Sequence, residues 1–247
     1  MQALLLNRMG DLALTCALAC LLAMFGTTGS ELARLLSNIG SSALMVCICG
    51  GVIVAAIGKS AQLGLHSWLP NAMEAPTPVS ALIHAATLVT ARVYLLIRLG
   101  PLLEQSIADA SSLVALLGAA TLLFAGLIGT RQTDLKRVIA FSTCSQVAYM
   151  ILAVRAGLYS ARLSLLVMHA AYKALLFLRA GVVIHAIGGL QDVRVMGRFR
   201  YTLPLTAVLM LIAGAALGAM PYTSGDYSKD LLIEQLLGGG IVLSQML

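Results

Sequence analysis

The 247-residue chain is 60% hydrophobic and only 11% charged, with a mean hydropathy of +0.94, whereas an ordinary soluble domain carries roughly 25% charged residues. Its net charge of +6 does not indicate a nucleic-acid binder, because several Lys and Arg lie beside or inside apolar runs instead of clustering on a solvated face. The sequence contains no phosphate loop, dinucleotide fingerprint or Asn-x-Ser/Thr acceptor, and the composition as a whole describes an integral membrane protein.

In chain order, apolar segments fall at about residues 12–25, 39–58, 79–99, 110–129, 136–154, 161–187 and 204–220, with a shorter eighth at about 230–247. All are expected to be helices, since lipid offers the backbone no other partner and no alternating barrel pattern is present. The expected fold is all-α, a polytopic transmembrane helical bundle forming a single membrane domain over residues 1–247. The first segment, with Arg8 ahead of "LALTCALACLLAMF" and "TTGS" behind it, also fits a signal peptide, although Asp11 interrupts its charged region. Cys16, Cys20, Cys47, Cys49 and Cys144 lack metal-ligand spacing and read as small buried hydrophobes. Gly214 and Gly218 form a small-xxx-small packing pair.

Two interruptions mark candidate broken helices, which a membrane tolerates only where they are buried in protein or line a wet cavity. The first is "GKSAQLGLHSWLPNAMEAPTPVS", residues 58–80, with Gly58, Gly64, Pro70, Pro76 and Pro78. The second is "AMPYTSGDYSKD", residues 219–230, with Pro221 and Gly225. Either can instead be an ordinary loop between spans.

A charge near the bilayer centre costs about 2.5–3.5 kcal/mol on insertion scales, so ionisable residues kept there are functional candidates. Here they are Lys59, His84, Arg92, Lys136, His169, Lys173, His185 and Lys229. Lys59 ends a long apolar segment, and the nearest downstream acid is Glu74, so a buried Lys59 needs a carboxylate from elsewhere, another chain included. His84 is expected on one helical face with Thr87 at i+3, and as a lone histidine it can equally serve only to bond a carbonyl across a helix interface. Arg92 lies deep in its segment with no partner evident in the sequence. Lys136, after Thr133 and Asp134, reads as a solvated helix start. The run Ser142, Thr143, Ser145, Gln146 and Tyr149 downstream suggests instead a helix facing polar groups or water. His169 and Lys173 are four apart and stack on one face beside Tyr172. Two cations there repel, so at least one is expected to be neutral, and the pair is a candidate proton relay. The structural alternative is a lysine that snorkels or pairs with a carboxylate. Lys229, just past the second break and near Asp226, Asp230 and Glu234, can equally be a surface anchor.

"HSWLPNAMEAPTPVSALIHAATLVTA" resembles, with high specificity, the antiporter-like subunit 5 family of respiratory complex I, the proton-pumping NADH:ubiquinone oxidoreductase. "TDLKRVIAFSTCSQVAYM", "HAAYKALLFLRAGVVIH", "DVRVMGRFRYTLP" and "GDYSKDLLIE" follow in the family's order, and "LLNRMGDLAL" matches upstream. The resemblance covers almost the whole chain but only the family's central block, from near its sixth helix to within its twelfth. Met1 suggests a natural start, and a split subunit points to a mitochondrial gene. "LLNRMGDLAL" falling on a helix retained in the family argues against a signal peptide.

The resemblance implies that Lys59 is the lysine of the first broken helix, paired in the family with a glutamate on an earlier helix. It implies that Lys136 lies between half-channels, that His169 and Lys173 form the central relay, and that Lys229 beside Asp230 belongs to the outlet. His84 and His185 match polar positions on the same axis. Arg92 and Arg179 depart from the family by standing at positions usually occupied by small residues, and "MPYTSGDYSKD" departs at the second break. The implied function is proton translocation through this relay, driven by distant NADH-to-quinone electron transfer, with Lys59 as the electrostatic switch. A multisubunit sodium/proton antiporter subunit and a non-pumping scaffold are the alternatives. No cofactor is expected in this chain; FMN, iron–sulfur clusters and quinone are expected in other subunits. Expected partners are the other membrane-arm subunits, a separate chain supplying the missing helices, and lipid. The expected location is the mitochondrial inner membrane, with a bacterial plasma membrane as the alternative.

Overall fold

The computed structural model describes residues 2–26, 42–100, 103, 108–153 and 158–237. Seven long helices carry the described fold: α1 (Gln2–Phe25), α2 (Ser42–Lys59), α3 (Thr77–Arg98), α4 (Ala108–Arg131), α5 (Leu135–Leu152), α6 (Tyr159–Ala186) and α7 (Pro204–Leu217). No strand occurs among the described residues; one isolated bridge joins Asp134 to Asp192. Four of the helices, Ala3–Phe25, Thr77–Arg98, Ser112–Arg131 and Tyr159–Ala186, are long and apolar enough to cross a membrane.

The boundaries follow local chemistry. Pro78 sits in the first turn of α3 and Pro204 opens α7, where a missing N–H costs nothing. Helix α6 ends at Gly188 and Gly189, both at positive φ, with the Gly189 N–H donating to Ile184 O, a Schellman-type closure. Helix α1 starts about ten residues earlier than the apolar run suggests, because Asp11 is neutralised by cations of α2 and α3 and does not break the helix. The eighth apolar segment is helical over 231–237; residues 238–247 lie outside the described set.

Both breaks are present. After α2 the chain leaves helical geometry through Ala61 (φ 51) and Gly64 (φ 95), then makes the short helix Trp68–Asn71 and a 3₁₀ turn, Ala72–Glu74. After α7 it turns through Ala219 (φ 56) and Tyr222 (φ 67) into a π turn, Asp226–Asp230. The first break packs against α1 and α5, and the π turn of the second packs against α6, which also packs against α3, α5 and α7.

The bundle has a largely apolar core in which several ionisable and polar groups are buried, and an apolar outer surface. Lys136, His169, Lys173, Gln146, His84 and Arg162 are buried, while Leu116, Leu123 and Leu127 of α4 and Leu205 and Leu211 of α7 are 66–72% exposed. Such a distribution suits lipid as the solvent. It also corrects the reading of the cysteines: Cys49 and Cys144 are buried, but Cys16 and Cys47 lie on the exposed surface. Gly214 meets nothing within 4 Å, so the Gly214/Gly218 pair is not a packing seam among the described residues. The close helix approaches are at Gly51 against Ala13 and Ala17, and at Gly118 against Ala148 and Leu152.

Candidate functional site: a buried lysine and histidine axis

Lys136 opens α5 in sequence but not in solvent. It is 4% exposed, and its Nζ donates to the carbonyls of Ala75 (3.0 Å) and Met73 (3.4 Å). The solvated-start reading is therefore wrong: the first break folds its 3₁₀ turn over the α5 N-terminus, and the carbonyls exposed at the end of that turn receive the ammonium. Asp134, the N-cap residue, makes no capping bond and pairs with Arg137 at 3.1 Å.

One helical turn and a half further along α5, Ser142 meets α6. Its hydroxyl accepts from Lys173 Nζ at 2.6 Å, and Ile139 O accepts at 3.4 Å. Lys173 is fully buried, and no ion pair to it occurs among the described residues. His169, one turn earlier on α6, is equally buried, edge-on to Tyr172 at 5.6 Å between ring centroids. Both of its ring nitrogens lack a hydrogen-bond partner among the described residues. The i, i+4 spacing read from the sequence thus places the two groups as expected, within electrostatic reach of each other.

Lys229 approaches the same centre from the second break. It lies within electrostatic reach of Lys173 and of Asp230, and its Nζ sits 5.2 Å from the Tyr149 ring centroid of α5. A cation over that ring face gains about 0.5–2 kcal/mol. Gly225 makes this approach possible, because a Cβ there would collide with Ala216 O of α7. Lys229 is half-buried.

His84 lies at the other end. The ring is 1% exposed, between Trp68 (6.0 Å) and Phe177 (6.3 Å), with both nitrogens unpartnered among the described residues. It does not share a face with Thr87, contrary to the helical-wheel expectation. Residues Leu82–Thr87 form a π-helical turn, with Thr87 Oγ1 donating to Leu82 O at 2.9 Å. The wider turn sends His84 inward and leaves Thr87 exposed. π turns of this kind frequently accompany functional sites.

The partner of Lys59 was missed in the sequence. Lys59 Nζ lies 2.9 Å from Asp11 Oδ1, and Arg92 Nη2 lies 2.8 Å from the same oxygen. The carboxylate expected from another segment or chain is thus supplied by α1, and it is also the missing partner of Arg92. An aspartate kept inside an apolar helix was the available signal.

Two candidates stand apart. His185 is exposed at the α6 C-terminus and lines a cavity of about 970 Å³ together with Arg179, Thr77 and Pro78; it is not brought to the axis. Arg179 is half-buried, with its Nε unpartnered among the described residues.

All 247 residues match the family described as NADH:quinone oxidoreductase/Mrp antiporter, TM. The chain is 48% identical to NADH-ubiquinone oxidoreductase chain 5 of Metridium senile over 233 residues, covering 94% of this chain and 39% of that protein. It is 46% identical to the protein of the same name from Allomyces macrogynus over 243 residues, 98% of this chain and 38% of that one. It therefore spans less than two fifths of the length of these relatives. Among solved structures, the Mrp complex from Dietzia sp. DQ12-45-1b superposes with a TM-score of 0.87 at 31% identity, covering 95% of this chain and 26% of that chain. An archaeal membrane-bound sulfane sulfur reductase shares the fold, with a TM-score of 0.83 at 24% identity over 94% of this chain and 48% of that chain. With its two broken helices, its buried lysines and a match along its full length, the chain belongs to the NADH:quinone oxidoreductase/Mrp antiporter transmembrane family.

Proposed function

We propose that this chain is the central part of a membrane-arm subunit of the proton-pumping NADH:ubiquinone oxidoreductase, in which it translocates protons through a buried Lys/His relay. The observation that carries the reading is Lys173: fully buried, with no carboxylate against it among the described residues, bonded to a serine hydroxyl, and set between His169 and Lys229. A lysine in that setting is costly to keep charged and has hydrogen-bonding neighbours to exchange a proton with. The nitrogens of His169 and His84 and Gln146 Oε1, unpartnered among the described residues, are groups that water molecules in a hydrated file would bond. Lys136 carries the file on the side of the first break and Lys229 with Asp230 on the side of the second. Lys59, through its Asp11 pair, acts as the switch; His185 is assigned to the periphery of the path.

The redox reaction belongs to other subunits, which hold the FMN, iron–sulfur clusters and quinone, and no cofactor is assigned to this chain. Residues 1–247 act as one membrane domain beside the other membrane-arm subunits, a separate chain supplying the remaining helices, and lipid. The location is the mitochondrial inner membrane, a reading supported by the relatives from Metridium senile, Allomyces macrogynus and Marchantia polymorpha.

Lys173→Ala or Lys136→Ala in the assembled complex should slow proton transfer through this chain by about 10²-fold or more, the usual scale for removing a proton-transfer group, and so remove this chain's share of the protons moved per NADH oxidised. Unchanged stoichiometry and rate would end the relay assignment. The superposition on an Mrp complex favours a second reading, a subunit of a sodium/proton antiporter; co-purification with flavin and iron–sulfur subunits decides between them. A scaffold that no longer pumps is the third, and it requires that Lys173→Ala leave pumping intact.

A further inference from the structure

Three helices meet at the Asp11 carboxylate. Lys59, the last residue of α2, and Arg92 of α3 both reach Oδ1 of Asp11 on α1, at 2.9 and 2.8 Å. One anion therefore serves two cations, both at the same oxygen. We propose that Arg92 is a positioning residue that holds Asp11 as a second, exchangeable cation, so that Lys59 can leave the carboxylate without stranding it in the membrane.

The charge count makes the difference. With Lys59 and Asp11 alone, a departing or deprotonated Lys59 leaves a carboxylate, 32% exposed on an apolar helix, without a counter-ion, which a membrane setting penalises. With Arg92 present, what remains is a neutral Arg92–Asp11 pair, and the guanidinium fork can take both carboxylate oxygens once Lys59 has gone. Arg92 stays charged throughout, because arginine does not lose its proton in proteins. The ammonium has space to move: a cleft of about 470 Å³ beside it is lined by Lys59, Thr87, Leu88, Ala91, Arg92 and Leu95. The exposed Thr87 hydroxyl, which donates to Leu82 O, keeps lone pairs free to accept from a displaced Lys59. The π turn that puts Thr87 on this cleft is the same one that buries His84. The cluster thus becomes a two-position device for Lys59, a role that deepens the proposed switch and rests on that reading.

The test uses the assembled complex in its own lipid and two readouts. The first is the initial rate at which an amine-reactive reagent labels Lys59 at fixed pH, followed by mass spectrometry; the second is protons moved per NADH oxidised. In Arg92→Gln, Asp11 belongs to Lys59 alone, and labelling should slow about tenfold, the scale of coupling between groups in one ion-pair network. Arg92→Lys, which keeps the charge, should restore most of the rate. Arg92→Met keeps the apolar stem and answers the same question if the glutamine variant does not assemble. In an Asp11→Asn background, Arg92→Gln should have no further slowing effect on Lys59. Labelling unchanged by Arg92→Gln or Arg92→Met overturns the proposal, whatever happens to pumping. Slowed labelling with unchanged proton stoichiometry upholds the role of Arg92 at Asp11 and overturns the separate reading of Lys59 as the pump's switch.

Discussion

Ser142 is the residue on which the centre of the axis turns. Its hydroxyl receives Lys173 at 2.6 Å and in turn donates to Ile139 O at 2.9 Å, so removing it leaves a fully buried ammonium with only the longer bond to Ile139 O. Ser142→Ala should destabilise the fold by about 1–3 kcal/mol, the cost of an orphaned buried donor, and should slow proton transfer; thermal unfolding in detergent and the proton-to-NADH ratio measure the two effects. His169 and Lys173 were legible in the sequence because a four-residue spacing fixes neighbours on a helix. The burial of Lys136 was not, because spacing around it cannot report that residues 73–75 fold over it. Asp11 and Arg92 were unreadable as partners for the same reason: 81 positions separate them, and only the packing of α1, α2 and α3 joins them.

At the scale of elements, the decisive contacts are places where a backbone comes close. Gly51 of α2 lies against Ala13 and Ala17 of α1, and a Cβ there would fall 2.8 Å from Ala13 O. Gly51→Ala should cost about 1–3 kcal/mol through overpacking and push α1 away, weakening the Asp11–Lys59 pair; Lys59 labelling at fixed pH reads the displacement. The existence of the helices was legible from hydropathy, and so were both breaks, from Gly and Pro. The π turns at Leu82–Thr87 and Asp226–Asp230 were not, since one extra residue in a helix leaves no compositional trace. The link between α6 and α7 adds a pH dependence. Asp192 lies outside the spans, and the Arg194 side chain bonded to it at 2.6–3.0 Å holds its carboxyl below the usual carboxylate value. The support it gives is complete above that usual value and fades as pH falls through the lowered one. Protection of the Val193 amide, which donates to Thr133 O beside the Asp134–Asp192 bridge, should fall over that acid range. Asp192→Asn should remove the pH dependence, as hydrogen exchange would register.

For the molecule as a whole, the apolar outer surface is what places it. The exposed Leu116, Leu123 and Leu127 of α4 form a surface that water would reject and lipid accepts. Leu123→Arg should therefore impair insertion by roughly 2.5–3.5 kcal/mol, the cost of a cation at mid-bilayer, whereas Leu123→Ala should be nearly neutral; the fraction of chain recovered in membranes measures this. The all-helical class was legible from composition alone. Helix α5 was legible as a helix, but among the described helices it does not qualify as a long apolar span, because its polar side chains serve the interior instead of the lipid.

The grip on Lys136 has a consequence for how such a chain can vary. Its acceptors are main-chain oxygens of residues 73 and 75, so the grip itself sets no requirement on those two side chains beyond the apolar packing of the buried Met73. What cannot drift is the backbone path that presents them: Ala75 extended at ψ 155, followed by Pro76, whose ring restricts the preceding residue to that conformation. A comparison of homologues should then find 73 and 75 interchangeable among apolar residues and 76 held to proline. Where 76 is lost, the residue at 136 should lose its lysine as well.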